Sequence, residues 1–313
     1  MKKLVLILPC YNEEAVLESS FSRLDILFKD LIEKDLITSD SKICFVDDGS
    51  RDLTWTLISE FAGKSEFVSG IKLSRNFGHQ FALLAGMESQ AGQFDIYITI
   101  DVDLQDDISV IEQMIVEHQR GSMLIYGVRD DRTSDTAFKR FSAQAFYKLL
   151  RSMGTEMVYN HGDFRLIDDR VLKEFLGFHE TNLYLRGIFP LLGFKTSVIK
   201  YSRSKREAGT TKYPIGKQVA LAWNGVTAFS NKPLRFILYL GIFTFFISII
   251  LAIWATVIYL LGNTVHGWFS IIVPITLFGG IQMISLGIIG EYIGKIFTEV
   301  KSRPRYIIEK MIL

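Results

Sequence analysis

The sequence predicts an α/β domain built on a mostly parallel sheet, followed by a two-helix transmembrane hairpin. Three observations carry this. Short β-branched runs alternate with helix-length stretches over the first part of the chain, polar clusters stand at the ends of those runs, and the long charge-free stretches lie near the C-terminus. With 313 residues, 49% of them apolar and 22% charged, the chain can bury a substantial core and is too apolar for disorder.

Taken in order, Leu4 to Leu8, Ile43 to Val46, Val68 to Leu73, Ile96 to Ile100 and Leu124 to Tyr126 read as strands. Their spacing leaves room for a crossover helix after each, the rhythm of a parallel sheet covered on both faces. Ligands in such sheets bind beyond the carboxyl ends of the strands. The sequence places Tyr11-Asn12-Glu13, Asp47-Asp48-Gly49-Ser50 and Asp101-Val102-Asp103 there. No GxGxxG or Walker-type loop occurs, which argues against a dinucleotide oxidoreductase and a P-loop NTPase. Cys10 and Cys44 lie in apolar runs without metal or disulfide spacing and read as reduced core residues.

Two amphipathic segments follow. Residues 137–153 put Phe138, Phe141, Ala145 and Leu149 near one face with Lys139, Arg140, Lys148 and Arg151 elsewhere, a pattern shared by interfacial helices and by helices packed on a sheet. Residues 215–230 carry Trp223 and run directly into the first apolar stretch, which favours an interfacial role. Phe236 to Leu261 is 26 residues without a charge, and Trp268 to Gly290 is another 23. Each can span about 30 Å of hydrocarbon at about 1.5 Å per residue.

Lys217, Lys232 and Arg235 precede the first span, and Lys295, Lys301, Arg303, Arg305 and Lys310 follow the second. The linker between them carries no formal charge, so the hairpin is expected to have its loop outside and both chain ends in the cytosol. Lys2-Lys3 leads into only a short apolar run before Asn12-Glu13-Glu14, which is not a signal peptide. The expected organisation is a cytosolic domain over 1–231, a hairpin over 232–294 with spans at 236–261 and 268–290, and a cytosolic tail over 295–313. Charge is uneven: residues 1–133 hold 13 basic and 23 acidic side chains, residues 134–235 hold 17 and 8. An acidic first part suits a metal, and a basic segment beside the spans suits a phosphate or an anionic lipid surface.

Asp101, Asp103 and Gln105 in IDVDLQDD stand where a buried strand meets a loop. Hard oxygen ligands with this spacing suit Mg²⁺ or Mn²⁺ bridged to substrate phosphates. Taken singly the polar residues have plainer readings. Asp47 and Asp48 can cap the following helix, Asp163 and Arg165 can form a structural ion pair, and His79 and His161 read as satisfied structural histidines.

The order LPCYNEE, VDDGSRD, LSRNFGH, DVDLQDD, GVRDDR, GDFRLID and KREAGTTKYP resembles the membrane-anchored branch of glycosyltransferase family 2. It is most similar to polyprenyl-phosphate (bactoprenol) glucosyltransferases, relatives of dolichyl-phosphate mannose synthases. The chain departs from that pattern at Thr210-Thr211 and at Asp107. The resemblance implies a GT-A-like nucleotide-sugar domain in which Pro9, Tyr11, Glu13 and Asp48 line the nucleotide site and Asp101, Asp103 and Gln105 hold metal and diphosphate. It makes Arg129 a phosphate contact, Asp163 the group nearest the acceptor chemistry, and Arg203, Arg206 and Lys212 partners of the lipid phosphate. The implied activity is inverting transfer of one sugar, glucose from UDP-glucose, to polyprenyl phosphate at the cytosolic face of a bacterial inner membrane, with Mg²⁺ or Mn²⁺.

The competing readings are another donor sugar, a processive polysaccharide synthase and a non-catalytic membrane anchor. None of Trp55, Trp223, Trp254 and Trp268 follows an arginine, so a processive QxxRW motif is missing. No nucleic-acid partner is expected. Gly279-Gly280, Gly287, Gly290 and Gly294 offer small-residue surfaces on which a homo-oligomer could pack.

Overall fold

The computed structural model describes residues 1–129, 161–180, 185–202, 232–261 and 269–312. The segments 137–153 and 215–230 and the residues Arg203, Arg206 and Lys212 lie outside them. The chain divides into two compact units, Met1–Tyr213 with Pro304–Leu313, and Pro214–Arg303.

In the first unit β1 (Leu4–Cys10), β2 (Lys42–Asp47), β3 (Val68–Leu73) and β4 (Ile96–Thr99) pair in parallel in the order β4-β1-β2-β3. The helices between them are α1 (Glu14–Glu33), α2 (Thr54–Lys64) and α3 (His79–Gln90), and α4 (Val110–Gln119) follows β4. All seven residues of β1 are buried, as a central strand covered on both faces demands. α1 buries Leu17, Ser20, Leu24, Phe28 and Leu31, one helical stripe. Aromatic stacking of Phe21 on Phe61 joins α1 to α2. Gly86 lets α3 lie against the sheet, because a Cβ there would stand 2.4 Å from a methyl of Ile7. Cys10 and Cys44 are free and buried.

The sheet continues with β5 (Leu124–Arg129), β6 (His161–Asp168) and β7 (Thr196–Tyr201), giving β7-β5-β6-β4-β1-β2-β3. β6 is inserted antiparallel between β4 and β5, whereas β7 is parallel to β5. The two-residue period of β6 explains its placement. Phe164 and Leu166 join the apolar core while Asp163 and Arg165 share the other face. The short helices α5 (Asp169–Leu176) and α6 (Leu185–Leu191) follow β6, with the Phe175 and Phe189 rings stacked.

The C-terminal residues, expected as a tail over 295–313, include a strand. Ile308–Ile312 form β8, antiparallel to β3 at the edge of the sheet. Arg305 donates to the Phe178 carbonyl at 3.2 Å and lies 3.6 Å from Glu88, whose carboxylate also accepts from the Tyr306 hydroxyl at 2.6 Å. Ser74 N–H bonds to the Ile307 carbonyl. The segment is an edge strand fastened to α3.

The second unit contains α7 (Lys232–Leu260) and α8 (Phe269–Val300). Pro233–Ile258 and Leu277–Val300 are long and apolar enough to cross a membrane. α8 runs ten residues past the expected end of the second span at Gly290, because Glu291, Lys295 and Glu299 continue it at helical spacing. Phe236, Phe243, Ile250 and Ile284 are each more than 60% exposed, an apolar surface suited to lipid. Thr244, Ser248, Ser285 and Thr298 turn their hydroxyls onto carbonyls of their own helix, which satisfies them in hydrocarbon.

Candidate active site

The loops after β1 and β2 are knitted together. Asn12, in the left-handed region at φ 55, accepts from Arg51 N–H and gives its own N–H to the Ser50 hydroxyl. Glu13 N–H bonds to Thr54 Oγ1, and the Glu14 carboxylate accepts from Leu53 N–H. Glu13 caps α1 through its carbonyl, which accepts from Val16 and Leu17. Pro9 is buried in β1, and the Tyr11 side chain beyond it is exposed.

Asp47 accepts from Ser50 N–H in the turn after β2. It does not cap α2; Asp52 accepts from Thr54 N–H there. Asp48 receives Phe77 N–H at 2.7 Å and Gly78 N–H at 2.9 Å, one on each oxygen, and so fixes the loop that leads into α3. Burial pushes the Asp48 carboxyl up from its usual value, opposed by those two bonds. The same loop rests on Gly49 (φ 69), where a Cβ would lie 2.4 Å from the Arg75 backbone. Gly78 then turns at φ 101 and delivers His79 as the first residue of α3.

The β4–α4 loop carries the expected acidic motif. Ser20 on α1 donates to the Val102 carbonyl at 2.6 Å and holds the loop between Asp101 and Asp103. Asp103 accepts from Gln105 at its backbone and at its side-chain amide, the latter at 2.8 Å. Asp101 has 36% of its side chain exposed. Burial, with the neighbouring charges of Asp163, Asp106 and Asp103, raises its carboxyl above the usual range against the opposing effect of His79.

His79 joins this motif to β6. Its Nε2 lies 3.6 Å from Asp101 and 3.3 Å from Asp163. Asp163 in turn bonds Arg165 at 2.6 Å through one oxygen and Arg186 at 3.0 Å through the other. Burial alone would raise the Asp163 carboxyl, but His79, Arg165 and Arg186 together hold it well below the usual carboxylate range. Burial lowers His79, and the two carboxylates reverse that, leaving it above its ordinary value. Thr99 donates to the Asp163 carbonyl, Arg165 stacks over the Phe189 ring, and Gln80 accepts Leu185 N–H, which sets α6 and Arg186 beside the site. Arg129, at the end of β5, is held by Asp106 at 3.3 Å and by the Tyr201 hydroxyl at 3.4 Å.

Of the residues singled out in the sequence, Asp101 and Asp163 converge through His79, and Asp103 and Gln105 form a local pair. Asp48 directs both oxygens at backbone. The sequence reading missed His79, Arg186, Asp106 and Tyr201 as members of these clusters. His79 had a signal, since it follows the end of β3 as the acidic clusters follow β2 and β4; Arg186 had none.

Among the described residues no three His, Cys, Asp or Glu side chains converge as a ready-made metal cage. The donor set nevertheless fits a hard divalent ion, since Asp101 and Asp103 bring two carboxylates one residue apart into the loop after β4, and Mg²⁺-type sites combine one or two carboxylates with substrate phosphates.

Residues 5–176 match glycosyl transferase family 2, and residues 232–296 match the GtrB C-terminal hairpin. The uncharacterized glycosyltransferase YkoT of Bacillus subtilis is 48% identical over 306 residues, 98% of this chain and 91% of that protein. The SfII prophage-derived bactoprenol glucosyl transferase of Shigella flexneri is 39% identical over 98% of both chains. The prophage bactoprenol glucosyl transferase homolog of Escherichia coli is 38% identical over 99% of both.

Proposed function

The chain belongs to glycosyl transferase family 2, and from that membership we propose that it transfers one glucose from UDP-glucose to polyprenyl phosphate, with inversion, at the cytosolic face of a bacterial inner membrane. It is a glycosyltransferase with a GT-A-like domain and two apolar C-terminal helices suited to membrane association. The names of its bactoprenol relatives support the acceptor and the sugar. The positive flanks of the hairpin support the orientation.

The observation that carries the reading is the string Asp101, His79, Asp163, Arg186, in which an acidic side and a basic side meet across one imidazole. Asp101 and Asp103, with Gln105, would hold Mg²⁺ or Mn²⁺ against the donor diphosphate. When bound, that ion supplies charge neutralisation for the departing diphosphate. Pro9, Tyr11, Glu13 and the loop fixed by Asp48 would frame the nucleotide, and Arg129 would meet a donor phosphate. An acceptor phosphate oxygen attacks the anomeric carbon from the face opposite the diphosphate, so one displacement inverts the centre. Asp163 takes no proton in that step; it orients the basic side chains around the acceptor. Arg203, Arg206 and Lys212 would add to acceptor binding.

Binding of UDP-glucose, UDP-galactose, UDP-N-acetylglucosamine and GDP-mannose to the full chain with Mn²⁺, followed by thermal shift, tests the donor. UDP-glucose is expected to give the largest shift. A larger shift with GDP-mannose contradicts the proposed donor.

A further inference from the structure

The acceptor in the proposed reaction is a phosphate monoester, largely a dianion at neutral pH, since its second pKa is about 6. It must lie close to the anomeric carbon yet away from Asp101 and Asp103, whose like charge repels it. The described cations around Asp163 differ in access. Arg165 is 1% exposed and sealed under Phe189, so no substrate reaches it. Arg129 lies against Asp106 and Tyr201 and, in the reading above, belongs to the donor phosphate. Arg186 is 39% exposed and His79 43%, and both reach the same oxygen of Asp163, at 3.0 Å and 3.3 Å.

Arg186 is also firmly placed. Its Nε and Nη2 form a fork on the two oxygens of Asp163, at 3.3 Å and 3.0 Å. The start of α6 is tied to Gln80, the residue after His79, through Leu185 N–H. Both accessible groups are therefore set by the N-terminal turn of α3. A guanidinium presents its N–H donors in a rigid plane suited to recognising anions, and Arg186 holds that plane partly exposed beside His79. Among the described residues, two arginines, Arg165 and Arg186, contact the single carboxylate of Asp163.

We propose that Arg186, with His79 beside it, forms the binding site for the acceptor phosphate, and that Asp163 serves as the buried anion that aims Arg186 at it. This rests on the transferase reading above. The site would place the nucleophilic oxygen one imidazole away from Asp101 and the donor, on the side of the string that attracts anions. It also explains why a carboxylate so firmly ionised sits beside the acceptor: it is a partner for cations, not for a proton.

The test uses the full chain in detergent, UDP-glucose as donor, a short isoprenyl monophosphate as acceptor and inorganic phosphate as competitor. Arg186→Gln is expected to raise the acceptor KM by about 10-fold or more, the effect of losing a charge-assisted contact, while leaving the donor KM near wild type. Arg186→Lys keeps the charge without the fork and should recover part of that loss, which a purely structural role would not predict. Inhibition by inorganic phosphate should weaken in parallel with the acceptor KM. Should Arg186→Gln fail to fold, a raised acceptor KM in Arg186→Lys at unchanged donor KM carries the same conclusion. An unchanged acceptor KM in both variants overturns the assignment, and a rise in donor KM alone assigns Arg186 to the diphosphate instead. A wild-type chain that transfers nothing to any isoprenyl phosphate overturns the transferase reading itself.

Discussion

With Arg165, Arg186 and His79 directed at its two oxygens, the Asp163 carboxyl is held well below the usual carboxylate range and stays ionised near neutral pH. A group with a depressed folded-state pKa stabilises the fold fully above its unfolded value of about 3.9, and that contribution is lost only as pH falls through the lower folded value. The acid limb of activity therefore belongs to the acceptor phosphate, at a pH of about 6. Asp163→Asn should lower kcat and raise the acceptor KM while that limb stays in place. A pH profile in which the limb vanishes without a change in acceptor KM would make Asp163 the titrating base. Asp103 sits on the opposite side, its carboxylate accepting from the Gln105 backbone and side-chain amide. Asp103→Ala should cut kcat by about 10²–10³-fold, the scale of losing one electrostatic stabiliser, with EDTA giving the same loss in the wild type. Full turnover in metal-free buffer would remove the metal from the account. The acidic pair was legible in the sequence because β4 ends there. Arg186 was not, because its approach to Asp163 depends on a helix placed by Gln80, 105 residues away in the chain.

At the level of elements, the five strands read from β-branched runs reappear as β1 to β5, β3 with the same bounds and the others with ends differing by one to three residues. The three strands that were not read share a cause. β6, β7 and β8 carry charged residues and are stabilised by partners distant in sequence, so local pattern understates them. β8 matters most for how the domain is handled. Its ladder on β3, the Lys72–Glu309 pair and the Arg305 and Tyr306 contacts to Glu88 tie the C-terminus to the strand and helix that flank the Ser74–Gly78 loop. Ending the chain at Arg303 should lower its apparent Tm by roughly 5–10 °C, given about 2–4 °C per kcal/mol for a domain of this size and about 1 kcal/mol per lost hydrogen bond. A melting curve that does not move would mean β8 is not part of the cooperative unit. Any soluble version of the domain should accordingly keep residues 304–313, although a boundary near Asn231 is the natural reading of the sequence.

On the scale of the molecule, an acidic N-terminal part, a basic following segment and two exposed apolar helices belong to one polypeptide. A polyprenyl phosphate keeps its tail in the bilayer, so an enzyme acting on its headgroup gains from anchoring in the same surface, where the effective concentration of the acceptor is high. This division was the most legible feature of the sequence, because 26 consecutive residues without charge admit few other environments. The central claim is that this chain moves a single sugar onto that lipid and stops. The most direct measurement is mass spectrometry of the lipid product after the full chain, in bilayer nanodiscs, is given labelled UDP-glucose and polyprenyl phosphate with Mn²⁺. The account predicts one product, the polyprenyl phosphate carrying one hexose; a ladder of longer glycans, or label released with no lipid-linked sugar, would contradict it.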